Sequence, residues 1–224
     1  MIPLRDANPR STKPMITVLL IVANVVVFLY QFSLGPGAGQ QWIYTFGMIP
    51  ARIPELFAGH DVTVRQAISP LLTSIFLHGG WLHLIGNMWF LWVFGDNIED
   101  YLGHFKYLLF YLLCGVGAGV VHTMSNLGST VPAVGASGAI SGVLGAYIVL
   151  YPRARVVTLV PLLFFFFTVQ LPAVVVLGYW FLIQFLSGLS ELGTRHLGGV
   201  AWWAHIGGFV LGAVLVWRGR RRWA

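Results

Sequence analysis

Charge is scarce in this chain. Only 9% of its 224 residues are Asp, Glu, Lys or Arg, against about a quarter in an ordinary soluble domain. Too few remain to wet the surface of a globule, while 57% of the residues are hydrophobic and the mean hydropathy is +0.79. These proportions exclude a water-soluble fold and place the chain in a membrane. Cysteine is nearly absent: Cys114 stands alone, which excludes an intrachain disulfide and a cysteine metal cage. Carboxylates are few, 7 against 13 basic residues. The excess of positive charge does not point to nucleic acid, because the basic residues sit at the ends of apolar runs rather than along one face. There is no H-E-x-x-H, so nothing supports a zinc protease, and no pair of carboxylates lies at mid-membrane. Neither a metal nor a cofactor is expected. Soluble domains, repeats and low-complexity tracts are missing too. Residues 1–14 are polar, and no A-x-A-like cleavage site follows the first apolar run, which is therefore expected to be retained.

What the chain has is apolar runs. A crossing needs roughly 20 largely apolar residues, and six candidates stand out: Met15–Phe32, Trp81–Tyr101, Phe105–Met124, Gly135–Tyr151, Leu171–Leu189 and Gly199–Trp217. Val156–Gln170 (VVTLVPLLFFFFTVQ) is apolar but short, and it carries Pro161. The positive-inside rule separates six crossings from seven. With six and the N-terminus inside, Arg5, Arg10, Lys13, Lys106, Arg153, Arg155, Arg218, Arg220, Arg221 and Arg222 share the inner side, leaving Arg52, Arg65 and Arg195 outside. A seventh crossing would send the terminal arginines outward. The expected architecture is an all-α polytopic membrane protein: a cytoplasmic, flexible tail (1–14), a six-helix bundle (15–217) and a basic cytoplasmic tail (218–224). Val156–Gln170 becomes an interfacial or re-entrant connection. The first outer loop, Ser33–Gly80, is too long for a simple turn, and its stretch PLLTSIFLHGGW suggests that it dips into the outer leaflet.

Polar residues inside a bilayer are costly and suggest function. In this topology His83 and Asn87 lie in the outer half of the second span, four residues apart and on one face. Ser137 opens the fourth span. His205 lies six residues into the last, roughly 9 Å down at 1.5 Å per residue. Three helices thus bring Ser, His and a His/Asn pair to one level. Small residues recur at Ser137, Ser141 and Gly145, with Gly138 and Gly142 beside them, and at Gly208 and Gly212 after His205. Such stripes let helix backbones approach closely. If the two stripes meet, Ser137 reaches the His205 imidazole, as a nucleophile must reach its base. Asp96, Glu99 and Asp100 all lie at the inner end, so the implied unit is a Ser–His dyad without a carboxylate. His83, Asn87 and the Ser137 backbone N–H are available as oxyanion donors.

Each feature alone has a plainer explanation. G-A-S-G is common helix packing, and His205, His83 and Asn87 could each be an interhelical hydrogen-bonder. His78 and Glu99 are expected to tether, one the outer loop and the other the inner helix ends. His60, His104, His122 and His196 carry no assignment. Phe164–Phe167 and Trp202–Trp203 are expected at lipid or its interface.

The chain resembles the rhomboid family of intramembrane serine proteases, from the first span to Gly212. GASGAISG (Gly135–Gly142) resembles the family's G-x-S-G motif, which implies Ser137 as nucleophile. AHIGGFVLG (Ala204–Gly212) resembles A-H-x-x-G-x-x-x-G, implying His205 as base, and HLIGN (His83–Asn87) is similar to H-x-x-x-N, implying oxyanion stabilisation. Two departures stand out. Arg65-Gln66 replaces the Trp-Arg pair of many members, and Ser141 stands where some carry an aromatic against the histidine, so something else must hold His205. The resemblance implies cleavage of single-span membrane proteins within the bilayer, near its outer face, with neither metal nor nucleic acid as a partner. A gate at the fifth span or at Ser190–Gly198 is a further expectation. The alternatives are a pseudoprotease that binds membrane clients, and a small transporter, whose polar residues would line a whole crossing. Small size points to a prokaryotic plasma membrane.

Overall fold

The computed structural model describes residues 1–162, 165–191 and 200–220. The chain is mostly helical. Strand β1 (Ile2–Asp6) precedes α1 (Met15–Ser33). The first connection then folds as α2 (Gly35–Phe46), α3 (Arg52–Phe57), α4 (Val64–Ile68), α5 (Pro70–Thr73) and a 3-10 turn at Ser74–Phe76. The long helices α6 (Trp81–Leu102) and α7 (His104–Ser125) follow, joined by Gly103, whose φ of 76° favours glycine. The shorter α8 (Ser137–Leu150) leads through strands β2 (Arg155–Leu162) and β3 (Phe165–Pro172) into α9 (Ala173–Glu191), and α10 (Trp202–Arg220) ends the described chain.

A helix stands at each of the six apolar runs. Of these, α1, α7 and Ala173–Ser190 are long and apolar enough to cross a bilayer, and Val64–Phe76 with Trp81–Leu102, bent by 74°, counts as a fourth when the pair is taken as one span. The 14 residues of α8 span only about 21 Å at 1.5 Å per residue. Burial explains how so short a helix is stable: Gly138 through Tyr147 are all buried, with neighbouring helices rather than lipid around them. By contrast, α1 buries one stripe, Thr17, Leu20, Asn24, Phe28 and Gln31, at helical spacing.

Small residues set the centre of the bundle. Added methyl groups on Gly208 and Gly212 of α10 would collide with the carbonyl oxygens of Gly138 and Gly142 on α8, and one on Gly145 would collide with Phe209. The two stripes therefore meet backbone to backbone.

Two expectations need correction, the all-α architecture and the flexible N-terminal tail. Val156–Gln170 is a β-hairpin: β2 and β3 pair antiparallel from Arg155↔Pro172 to Leu162↔Phe165. Valines and phenylalanines favour strands, and Pro161 is costly inside a helix. The N-terminal tail is not free. Ile2–Asp6 pairs antiparallel with β2, making the sheet order β1-β2-β3, and Trp89 on α6 donates to the Pro3 carbonyl at 2.6 Å. Farther on, Asp100 accepts from the backbone N–H groups of Ser11 and Thr12 at 2.9 and 2.7 Å. Trp202 and Trp203 are half-buried and lie beside Gly188 of α9. Phe165 and Phe166 are exposed, whereas Phe164 lies outside the described residues.

The first connection packs back toward the bundle. Gln31 donates to the carbonyl of buried His78 at 2.7 Å, so His78 holds this loop through its backbone, with Phe28 against its ring. Gln66 completes a capping box with Thr63 at the start of α4. Gly135 donates to the Ser74 carbonyl at 2.9 Å, tying the approach to α8 to the same connection.

Candidate active site

The Ser137 hydroxyl and the His205 imidazole are hydrogen-bonded, Oγ to Nε2, at 2.8 Å. Ser137 is the first residue of α8. His205 is the fourth of α10, because this helix starts at Trp202 and not at Gly199; Gly199 itself lies outside the described residues. The contact follows from the glycine-closed interface one turn away, where α8 and α10 approach too closely for any side chain.

The other imidazole nitrogen is occupied as well. His205 Nδ1 lies 2.7 Å from Oε1 of Gln184, a buried residue of α9. Trp180 lies against the ring with centroids 5.9 Å apart, and Trp202 meets it edge-on at 6.3 Å. Ser141 plays no part in holding the histidine. Its hydroxyl donates back to the Ser137 carbonyl at 2.6 Å, a common local bond for serine within a helix.

His83 and Asn87 reach the same place from α6. A methyl group on Gly135 would lie 2.6 Å from His83 Nε2 and 3.4 Å from Asn87 Nδ2, and Gly135 has φ of 123°, so a glycine is required there on both counts. The Gly79 backbone N–H donates to His83 Nδ1 at 3.3 Å, which leaves the proton of the neutral ring on Nε2, toward Gly135. Asn87 Nδ2 is buried without a hydrogen-bond partner, and buried amides are rarely left so. As the first residue of α8, Ser137 has a backbone N–H with no carbonyl one turn back inside the helix. Three donors thus converge beside one hydroxyl.

Ser137, His205, His83 and Asn87 line one cavity of about 630 Å³. Phe90 and Leu82 of α6 and Trp180 of α9 form part of its apolar wall. Pockets of this size accept a few side chains of a peptide or a drug-sized molecule. Residue-by-residue reasoning missed Gln184, Trp180 and His122, which also lines the cavity. Gln184 could have been found as a lone amide in an apolar run; nothing local marks His122. His196, Arg195, Arg221, Arg222 and most of Ser190–Gly198 lie outside the described residues. Glu99 is a tether: it accepts from the N–H groups of Ile16 and Thr17, both at 2.8 Å, and from the Thr17 hydroxyl at 2.7 Å, and it pairs with His104 at 2.6 Å.

The fold and this cavity describe a multi-pass membrane protein with a serine–histidine pair among its helices. Residues 65–222 match the Rhomboid domain, and the chain belongs to the rhomboid family. It is 32% identical over 200 residues to Rhomboid-like protein 11, chloroplastic, of Arabidopsis thaliana, covering 87% of this chain and 65% of that protein. It is also 32% identical over 212 residues to Rhomboid protease GluP of Bacillus subtilis (strain 168), covering 92% of this chain and 36% of that protein. Against human Presenilin-associated rhomboid-like protein, mitochondrial, the identity is 32% over 139 residues, covering 61% and 33%. The chain spans less than two thirds of the length of each of these relatives. Their names include plastid, mitochondrial and bacterial proteins, so small size does not assign a prokaryotic plasma membrane.

Proposed function

We propose that the protein is an intramembrane serine endopeptidase that cleaves the transmembrane segments of single-span membrane proteins near the outer face of the bilayer. The observation that carries this reading is the 2.8 Å bond between Ser137 and His205, set in a cavity that the unpaired Asn87 amide also lines. The helices α1, α6, α7, α8, α9 and α10 are six crossings in this reading, with both termini on the inner side, as the arginine and lysine distribution favours. The roles are as follows. Ser137 Oγ attacks the scissile carbonyl carbon while His205 Nε2 takes its proton. The negative charge that develops on the carbonyl oxygen is met by His83 Nε2–H, Asn87 Nδ2–H and the Ser137 N–H. Collapse of the tetrahedral intermediate breaks the C–N bond, and His205 returns its proton to the leaving amine. Water, deprotonated by His205, then hydrolyses the acyl-enzyme.

Gly138, Gly142, Gly208 and Gly212 act indirectly, by holding α8 and α10 at the separation the dyad needs. The test is labelling of the reconstituted protein with a fluorophosphonate probe, together with cleavage of a single-span substrate in the same vesicles. Labelling and cleavage are expected for the wild type and should vanish in Ser137→Ala and His205→Ala. A wild type that neither labels at Ser137 nor cleaves would sink the reading and favour a client-binding pseudoprotease.

A further inference from the structure

An imidazole can act as a base on a hydroxyl only in one of its two neutral forms. For His205 to accept the Ser137 proton at Nε2, that nitrogen must hold a lone pair and the ring proton must sit on Nδ1. In water the two forms interconvert freely. Inside an apolar bundle the form is set by the partner that each nitrogen finds, because a buried polar group without one is costly.

The partner of Nδ1 is the side-chain amide oxygen of Gln184, 2.7 Å away. A carbonyl oxygen only accepts, so this contact requires the proton on Nδ1 and leaves Nε2 free to accept from Ser137 Oγ at 2.8 Å. Both groups are nearly sealed from solvent, Gln184 with 7% and His205 with 9% of its surface exposed, so water competes poorly for either bond. Trp180 and Trp202 limit the tilt of the ring, but hydrocarbon walls do not distinguish one protonated nitrogen from the other. Gln184 does. The acidic residues of α6 are committed at the inner end: Asp96 to Arg10, Glu99 to the start of α1 and to His104, Asp100 to Ser11 and Thr12.

We propose that Gln184 is the positioning residue of the dyad, a neutral third member that fixes the Nδ1–H form of His205 and the direction of its Nε2 lone pair. This rests on the protease reading of Ser137 and His205 and deepens it. Unlike a carboxylate, an amide orients the ring without adding a charge to the membrane interior, where an ionised side chain is costly. The placement has a second consequence. Ser137 and His205 sit on α8 and α10, which are interlocked through backbone contacts at glycines, whereas Gln184 sits on α9. The glycines of α9 make no such contact: a methyl group on Gly178 would meet nothing within 4 Å, and one on Gly188 would meet only side chains. The nucleophile–base distance is therefore fixed by one interface, and the protonation form of the base by another. Moving α9 by an ångström or two would leave the dyad in contact but release the base from its orientation.

The test uses the full chain in proteoliposomes, with Gln184→Leu (same bulk, no acceptor), Gln184→Asn (amide kept but one methylene too short) and Gln184→Glu (acceptor kept at the same reach). The readouts are the fluorophosphonate labelling rate at Ser137, kcat and KM on a single-span substrate, and the melting temperature. A positioned general base contributes about 10²–10⁴ in rate, and loss of its orientation is expected to forfeit about 10- to 100-fold of this in kcat. Gln184→Leu and Gln184→Asn should show that loss with KM changed less than about threefold; Gln184→Glu should stay within about fivefold of the wild type. Should the leucine variant fail to fold, the asparagine variant carries the test. A merely structural role would lower the melting temperature in proportion to the rate, or would leave the glutamate variant as slow as the leucine one. Either result, or wild-type rates in both Gln184→Leu and Gln184→Asn, overturns the proposal. A wild type that does not label at all overturns the protease reading beneath it, which is a distinguishable outcome.

Discussion

Glu99 and Asp100 on the one hand and Asn87 on the other, all on α6, are treated in opposite ways. Toward the C-terminal end of α6, Glu99 is buried and saturated, with donors from Ile16, Thr17 and His104. Asp100 is likewise held by Ser11 and Thr12. At the other end Asn87 Nδ2 is buried and unpaired, and it opens with His83 onto a cavity beside Ser137. A polar group with all its partners stabilises, whereas a buried donor left without one carries a desolvation cost. The first arrangement staples α6 to α1 and α7. The second costs stability, and under the proposed mechanism it meets a developing negative charge.

The comparison breaks most sharply at Asn87. Replacing it with Ala should lower kcat by about 10²–10³, the usual cost of one oxyanion donor, while the melting temperature stays the same or rises, since an unpaired buried amide has been removed. Equal loss of rate and of melting temperature would place Asn87 with Glu99 and Asp100 as a structural staple. Glu99→Gln should behave in the opposite way. An amide puts its own donors where Glu99 now receives only donors, so about 2–3 kcal/mol of stability should be lost, seen as a lower melting temperature with kcat of the folded fraction unchanged.

A smaller effect is expected at Asp6. Burial pushes its carboxyl up to about 6, even though the Tyr147 hydroxyl donates to it. The folded state therefore holds the Asp6 proton more tightly than the unfolded chain does. The associated stabilisation is complete below about pH 4 and is lost as pH rises through 6. Asp6→Asn keeps an acceptor for Tyr147 and does not ionise. The drop in melting temperature between pH 5 and pH 7.5 should be smaller in this variant than in the wild type, by a few degrees at most. An identical pH dependence would remove Asp6 from the account.

How much was legible in the sequence differs by level. All six long helices lie within a few residues of the apolar runs, because hydropathy over a whole helix is a summed signal that one residue cannot hide. The hairpin at Val156–Gln170 was harder. The arginine and lysine distribution argued against a crossing there, but strand pairing depends on a partner, and half of that partnership is β1, about 150 residues earlier in the chain. The stripes at Gly138/Gly142 and Gly208/Gly212 were visible as spacing. Their mutual contact was a conditional, because spacing says which face is small and not which face it meets.

Gln184 shows the boundary most clearly. It was visible as an amide within an apolar run, and its chemistry was available to any reader of the sequence. Its significance lies in one distance, 2.7 Å to His205 Nδ1, set by the packing of α9 against α10. The sequence by itself determined that the chain belongs in a membrane, where its helices run, and that a serine, two histidines and an asparagine could share one level. These follow from transfer free energies and helical periodicity, which are local and additive. Only the tertiary structure decided that Ser137 meets His205, that Gln184 rather than residue 141 holds the ring, and that the N-terminal tail is a strand. Hydrogen bonds act over about 3 Å, and no regularity of the sequence specifies a distance that short between separate helices.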